Sequence, residues 1–130
     1  MTTLDQRIKE FPQTSIFANL VLDSSIQNIL SLSGPYTLFV PANQALEDKT
    51  VFFQYLKEKN IQTEYAANYI VIGYYLLSDL RKIDEIANLN NSYLPVSLNN
   101  SVKISGANIL EGDLIAKNGV IHLLDSLFSL

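Results

Sequence analysis

The stretch that decides the fold is Asn118-Gly119-Val120-Ile121-His122-Leu123-Leu124-Asp125. Its apolar residues lie between an Asn-Gly pair and an aspartate, and those before the histidine are β-branched. This pattern is typical of a strand bounded by turn formers. On a strand, His122 shares one face with Val120 and Leu124, while Ile121 and Leu123 occupy the other face. Both faces are apolar, so we predict a buried strand with its histidine inside the core.

A second informative stretch lies far upstream, at Tyr36-Thr37-Leu38-Phe39-Val40-Pro41-Ala42-Asn43. Residues 36–40 favour a strand, and Pro41 should end it because proline cannot donate to a ladder. Asn43 is expected to cap a short helix whose first turns contain Glu47 and Asp48. The stretch therefore predicts a strand-to-helix junction.

Together the two stretches resemble the signature blocks of the fasciclin domain, Phe-x-Pro-Thr-Asn-x-Ala-Phe and Asn-Gly-x-Ile-His-x-Ile-Asp. In that family a Tyr-His pair ends a helix between the blocks, and here Tyr74-Tyr75 stands in its place. Ala42 and Leu46 also depart from the family pattern. The resemblance runs from about residue 17 to residue 128 and implies one fasciclin-like domain over residues 1–130. It assigns structural motif positions to Pro41, Asn43, Asn118, Gly119, His122 and Asp125.

The remaining pattern predicts helices first and strands later. Apolar spacing and cap residues indicate four helices. The first follows Thr14, and the second follows a capping box at Ser24–Gln27. The third follows Thr50 and has Phe52, Phe53 and Leu56 towards the core, and the fourth runs from Thr63 to Ile70. Short β-rich runs then predict a meander at 74–77, 94–98, 102–105, 107–110, 113–116 and 120–124. Helices that come in one block and strands that come in the next, rather than alternating, indicate an α+β fold. The resemblance refines this to a β-sandwich wedge with an N-terminal group of helices packed at one side.

Composition removes several functional classes. The 130 residues carry a net charge of −4, no cysteine and 48% apolar residues. That charge favours no nucleic-acid surface, and the missing thiols exclude disulfides and cysteine-ligated metals. No apolar run approaches the roughly 20 residues that span a bilayer. The start, Met1 to Asp5, has no signal-peptide pattern.

No reactive constellation is visible either. His122 is the sole histidine, and on a strand Asp125 points away from it, so no hydrolase triad is expected. A core histidine is the favoured interpretation, with a ligand or general-base role as the alternative. Having no carboxylate on its own face, a buried His122 should be neutral. We therefore predict no enzyme, no cofactor and no metal site.

The resemblance implies a non-enzymatic cell-adhesion or protein-interaction domain, outside the cytoplasm or at a cell surface, with a protein partner. Candidate partner-binding residues are Tyr74 and Tyr75 at the Tyr-His position, and Asp113-Leu114, which is similar to an Asp-Ile dipeptide linked to integrin binding in matrix members. The alternative for the tyrosines is packing, and Gly112-Asp113 also suits a turn between strands.

Two further interpretations stay open. Seven tyrosines and six phenylalanines could line a groove for a small apolar ligand such as a carotenoid, which some fasciclin-like proteins carry, or could fill the core. Asn90 and Asn99 begin Asn-x-Ser sequons, which are possible glycosylation sites in a eukaryotic secretory pathway. The alternative is that they are ordinary turn residues.

Overall fold

A computed structural model describes residues 1–129 as helices packed against a mixed sheet. The α-helices are α1 (Leu4–Arg7), α2 (Ser15–Leu22), α3 (Ile26–Leu30), α4 (Thr50–Glu58), α5 (Gln62–Ala66) and α6 (Leu77–Leu80). Short 3-10 helices lie at Ile8–Glu10, Pro12–Thr14, Asn43–Ala45 and Ala67–Tyr69. The strands are β1 (Tyr36–Pro41), β2 (Ile70–Ile72), β3 (Glu85–Ala87), β4 (Tyr93–Leu98), β5 (Val102–Ile104), β6 (Ala107–Ala116) and β7 (Gly119–Leu124).

The seven strands lie in the order β2-β1-β7-β6-β5-β4-β3. Strands β3 to β7 form an antiparallel meander, in which β3 is an addition to the predicted strands, and β7 then pairs in parallel with β1. The sheet curls until its edges meet, where the Leu89 N–H donates to the Ile70 carbonyl over 2.9 Å. The α+β class is confirmed. The more specific prediction, that this nearly closed sheet forms a β-sandwich wedge, stays a prediction.

The two decisive stretches are neighbouring strands at the centre of the sheet. Phe39 lies opposite His122 in the parallel β1–β7 register. Every residue of β7 is buried, as are Leu38, Phe39 and Val40 of β1. The prediction that both segments contribute to the core is confirmed. Helices α1 and α2 pack on this central pair.

Two local predictions around β2 are wrong. The helix from Thr63 ends at Ala66, and Ile70 already belongs to β2. The strand predicted at 74–77 is instead an irregular segment that leads into α6. Gly73, at φ +121°, turns the chain out of β2 in a conformation that favours glycine. The Asp79 carboxylate then accepts from the Leu76 N–H at the start of α6.

Strand β6 is another correction. The sequence predicted two strands, 107–110 and 113–116, joined by a turn at Gly112-Asp113. The structure has one strand whose register against β7 shifts twice, between Ile109 and Glu111 and between Glu111 and Leu114. Asp113 has a φ of +59° within this irregular stretch. A bulge of this kind bends a strand and redirects its backbone groups.

The expected helix caps are also different in the structure. Asn43 does not cap its own short helix, because its Oδ1 accepts from the Ile16 N–H of α2 over 2.9 Å. Thr14 instead donates to the Phe11 carbonyl. The Ser24 hydroxyl accepts from the Ile26 N–H, so no reciprocal capping box with Gln27 forms. A cap supplied from a distant segment has no local signal in the sequence.

Candidate functional site

His122 lies at the centre of the candidate site. Its side chain is fully buried, and its ring stacks on Phe39 with 5.6 Å between centroids. The Asp113 N–H donates to Nδ1 over 3.2 Å, so Nδ1 is the acceptor and the proton is on Nε2. Nε2 in turn donates to the Tyr75 carbonyl over 2.8 Å. Both ring nitrogens are therefore occupied by backbone partners, and the imidazole is neutral.

The surroundings of His122 set its protonation. Burial lowers the pKa of the imidazole below its usual value, and this effect outweighs the hydrogen bond to Tyr75 and the negative charge of Asp113, which both raise it. The pKa of His122 is therefore shifted in the direction that a buried, neutral histidine was expected to show. The acidic neighbour was missed, because Asp113 reaches the ring only through the bulge in β6.

His122 brings the two candidate partner-binding motifs to opposite sides of one ring. Tyr75 contacts it through its carbonyl, and Asp113 contacts it through its N–H. The Asp113 carboxylate also accepts from the Leu77 N–H over 2.8 Å, which joins the bulge to the start of α6. The motifs, 38 positions apart in sequence, thus form one connected unit. The turn predicted at Gly112-Asp113 is in fact this junction.

The candidate residues differ in exposure. Tyr74 is 41% exposed, and the Asp113 side chain is also exposed, whereas Tyr75 and Leu114 are half-buried. The Tyr75 N–H donates to the Thr37 hydroxyl oxygen over 3.0 Å. Tyr75 contacts His122 through its backbone carbonyl, which any residue at position 75 would supply.

The Asn118-Gly119 pair ties the N-terminal helices to the sheet. The buried Asn118 side chain accepts from the Leu4 N–H over 2.8 Å and donates to the carbonyl of Leu30 over 2.7 Å. A Cβ on Gly119 would lie 1.9 Å from the Tyr36 carbonyl oxygen, so only glycine fits there. Asn118 thus connects α1 and the end of α3 to the start of β7, and Gly119 lets β1 and β7 approach closely.

Pro41 and Asp125 close the same region at its other end. Pro41 is the last residue of β1 and lies opposite Leu124. Asp125 accepts from the backbone and side-chain amides of Asn108, each over 2.9 Å. Burial alone would raise the pKa of Asp125, but these hydrogen bonds, with those from the Ser126 hydroxyl and its own backbone, lower it below its usual value. Asp125 therefore fixes β6 to the end of β7.

Known proteins share the sequence pattern and the fold that hold these residues together. The sequence model of the Fasciclin domain family matches residues 12–129. The chain belongs to the fasciclin domain family. A solved fasciclin domain pair from the insect cell adhesion molecule Fasciclin I superposes with a TM-score of 0.76 at 17% identity, over 96% of this chain and 50% of that one.

Two curated relatives show how fasciclin domains are distributed. A protein named heme ligase from Plasmodium falciparum is 27% identical, and the alignment covers 95% of this chain and 74% of that protein. Stabilin-2 of Mus musculus is 22% identical over 98% of this chain, which spans only 5% of that protein. The chain thus spans very different shares of the proteins that it matches.

The two sequons of this fasciclin domain differ in their surroundings. The Asn90 side-chain nitrogen donates to the Glu64 carbonyl and to Asn68 Oδ1, over 2.9 and 2.8 Å. A glycan on that nitrogen would disturb both contacts. Asn99 lies exposed in the β4–β5 connection. The use of either sequon stays a prediction, and the geometry favours Asn99.

Sequence reasoning missed an exposed apolar area on α4 and α5. Phe52, predicted to face the core with Phe53 and Leu56, is 37% exposed. We define the α4–α5 surface as Val51, Phe52, Tyr55, Ile61 and Tyr65. The available signal was that apolar residues at 51, 52, 53, 55 and 56 cover more of a helix than one core-facing stripe.

Within residues 1–129, the His122 side chain hydrogen-bonds only to the two backbone partners named above, and no serine hydroxyl hydrogen-bonds to it. No group of three His, Cys, Asp or Glu side chains within 1–129 could hold a metal ion. In the same range, no helix is long and apolar enough to cross a membrane.

Proposed function

We propose that this fasciclin domain, taken as one unit over residues 1–130, is a non-enzymatic domain for adhesion or protein interaction. Its main support is the α4–α5 surface. Val51 is 80% exposed, Tyr55 is 49% exposed and Ile61 is 36% exposed. Contiguous exposed apolar side chains are the usual mark of an interaction site. The insect neighbour, described as a cell adhesion molecule, points the same way.

The α4–α5 surface is preorganised by aromatic contacts. Phe52 packs edge-on against Tyr65 with 5.2 Å between ring centroids, and the Tyr65 hydroxyl lies 3.1 Å from that of Tyr69. Tyr69 stacks on Phe128 at 4.2 Å inside the core. Rigid aromatic side chains lose little conformational entropy on binding, which is why tyrosine is frequent at interface hot spots. The surface is thus suited to a protein partner.

The remaining parts of the proposal come from the family. The domain works outside the cytoplasm or at a cell surface and meets a protein or matrix partner. Tyr74, Tyr75, Asp113 and Leu114 stay candidate partner-binding residues. The support for them is that His122 holds Tyr75 and Asp113 in one unit. A partner could therefore contact both motifs without reordering either.

Adhesion to a protein-coated surface tests this proposal. Purified domain is immobilised and exposed to extracellular extract or cells of the source organism, and bound proteins are identified after cross-linking. A Phe52→Ala/Tyr55→Ala variant should lose most of the binding. Leu98→Ala and Leu110→Ala remove side chains that are each 53% exposed on the sheet, so they serve as matched controls. Equal binding by the variant and the controls would exclude the α4–α5 surface, and no bound protein at all would overturn the function.

A second candidate is a carrier of a small apolar ligand, favoured by the shape of the same surface. A wide, open groove of about 490 Å³ lies among the apolar side chains of this surface, with Glu64, Asn68 and Asn90 at its polar side. Small-molecule sites commonly measure roughly 300–1,000 Å³ and are lined by apolar and aromatic side chains. The name of the heme ligase relative also favours a large planar ligand. His122 could not ligate such a ligand, because it is buried and both ring nitrogens are occupied.

Titration distinguishes this candidate from the first. Hemin and a carotenoid are added separately, and the absorbance of each ligand and the tyrosine fluorescence are followed. A carrier would give saturable binding at one equivalent that Tyr65→Ala weakens and Leu98→Ala does not. Unsaturable partitioning, or equal loss in both variants, would remove the carrier hypothesis while leaving the adhesion test unaffected.

A further inference from the structure

The edges of the sheet, β2 and β3, meet at one point and then separate. The bond from Leu89 N–H to the Ile70 carbonyl joins them, and no other backbone hydrogen bond pairs these two strands within residues 1–129. Beyond that bond lies a cavity of about 210 Å³. Its lining residues are Val71, Ile72, Tyr75, Ile86, Ala87, Asn88 and Asn91. We call this the β2–β3 cleft.

On the β2 side, the backbone groups of Ile72 face the cleft. Backbone groups of alternate residues point to the same edge of a strand. The Ile70 carbonyl accepts from Leu89 across the cleft, whereas Gly73 N–H donates to the Pro35 carbonyl on the β1 side. Ile72 therefore presents its N–H and C=O groups to the cleft, and Val71 presents its groups to β1. Ile70 contributes only its carbonyl there, because its N–H donates to the Ala67 carbonyl.

On the β3 side, the same reasoning places Ala87 at the cleft. Asn88 N–H donates to Ser92, and the Asp84 carbonyl accepts from Val96, so these even-numbered residues face β4. Ala87 lies between them in alternation and faces the other way, as Leu89 does. Counting strand directions around the sheet makes β2 antiparallel to β3. Ile72 and Ala87 are thus opposite each other, each with a backbone donor and acceptor that no described residue pairs.

The size and the side chains of the cleft suit a peptide chain better than a small molecule. Ile72, which lines the cleft, is 69% exposed, so a large apolar side chain lies at its opening. The cavity is below the roughly 300 Å³ at which small-molecule sites begin, but it has room for one or two apolar side chains. On this side of the cleft, the backbone of Tyr75 is fixed by hydrogen bonds to Thr37 and His122.

We propose that the β2–β3 cleft binds an extended peptide segment of a partner protein by strand addition. The segment lies between β2 and β3, hydrogen-bonded to the backbone of Ile72 and Ala87, with an apolar side chain in the cavity. Because β2 and β3 are antiparallel, the added strand is parallel to one and antiparallel to the other. Backbone bonds supply the affinity in this mode, and alternate side chains supply the specificity. The site is separate from the α4–α5 surface and does not depend on it.

A phage-displayed library of random ten-residue peptides selected on the folded domain tests the proposal. The strongest binder is synthesised, and its affinity is measured by fluorescence anisotropy. The bound domain should show slowed hydrogen exchange at the Ile72 and Ala87 amides. Ala87→Pro removes the N–H that faces the cleft and leaves the β4 side of the edge strand intact, so it should weaken binding about tenfold or more. Phe52→Ala/Tyr55→Ala should bind the peptide as the unaltered domain does.

Methylating the peptide gives a second test that leaves the domain unchanged. N-methylation at every second residue should weaken binding in either alternation, because one set of alternate N–H groups faces Ile72 and the other set faces Ala87. The proposal is overturned if no peptide is selected, or if neither alternation affects binding. It is likewise overturned if the slowed amides lie on α4 and α5. Sedimentation that shows a dimer lost in Ala87→Pro would assign the cleft to a second copy of the chain instead.

Discussion

The Nε2 atom of His122 lies 2.8 Å from the carbonyl oxygen of Tyr75, and this contact joins the last central strand to the segment after β2. On the other side of the ring, Nδ1 accepts from Asp113. A single neutral side chain therefore supplies one donor and one acceptor to two backbone segments that are not neighbours in the sheet. Its role is to hold the two candidate motifs in register, and no proton transfer is needed for that role.

Replacing His122 by phenylalanine should destabilise the domain while preserving the stack on Phe39. The Tyr75 carbonyl and the Asp113 N–H would both lose their partners, and each unsatisfied buried group costs about 1–3 kcal/mol. The free energy of unfolding is measured by urea denaturation. His122→Gln keeps one donor and one acceptor and should lose less. Equal losses in the two variants would mean that ring packing, not hydrogen bonding, makes His122 important.

The stability of the domain should depend on pH through His122. The pKa of the folded imidazole is lowered, whereas in the unfolded chain it is near 6.5. The unfolded chain therefore binds the proton more readily below pH 6.5. Stability is full above about pH 6.5 and falls as pH decreases from there towards the folded pKa. Urea denaturation across this window checks the fall, which His122→Gln should flatten.

Direct titration of the imidazole by NMR is the sharper measurement of the same prediction. A folded pKa below about 6.5 is expected. A value at or above that would show that the Asp113 charge and the Tyr75 hydrogen bond outweigh burial. Asp113→Asn separates these effects, because it removes the charge that raises the pKa, and the folded pKa of His122 should then fall further.

The core of the fold could be predicted because its signals are local. The apolar run of β7 and the proline-ended β1 indicate buried strands whatever their partners are. The parallel pairing of Phe39 with His122 had no local signal, since it depends on where the whole meander places β7. Strand β3 was missed because Ile86 is its one buried residue and exposed Glu85 precedes it.

The candidate site was harder to predict because its geometry comes from irregular backbone. The bulge at Asp113 and the turn at Gly73 direct an N–H and a carbonyl at His122, and sequence patterns describe side chains better than backbone direction. The α4–α5 surface was missed for another reason. A pattern of apolar residues predicts which side chains could be buried, but not whether the rest of the chain is large enough to cover them.

Truncating the centre of β7 should be costly. Ile121 is fully buried, so Ile121→Ala should lower the free energy of unfolding by about 2–5 kcal/mol, as lost burial and a new cavity combine. Leu98→Ala is the matched control, since that side chain is 53% exposed, and its loss should stay within about 0.5 kcal/mol. Comparable losses in the two variants would contradict the central position of β7.

The Asn118-Gly119 pair gives the last prediction, since it connects three segments through one turn. Asn118→Ala leaves the buried Leu4 N–H and Leu30 carbonyl without a hydrogen-bond partner. Each unsatisfied group should lower the free energy of unfolding by about 1–3 kcal/mol. Gly119→Ala forces a Cβ onto the Tyr36 carbonyl oxygen, so β1 and β7 must move apart. Overpacking of this kind typically costs about 1–3 kcal/mol, and the hydrogen bonds of the parallel pair would weaken as well.

Hydrogen exchange distinguishes the two variants. Asn118→Ala should speed exchange mainly in α1 and at the end of α3, while Gly119→Ala should speed it in β1 and β7. Ser97→Ala, on the exposed side of β4, is the control and should change neither region. If both variants loosened the same segment, the separate roles assigned to the asparagine side chain and to the glycine backbone would be wrong.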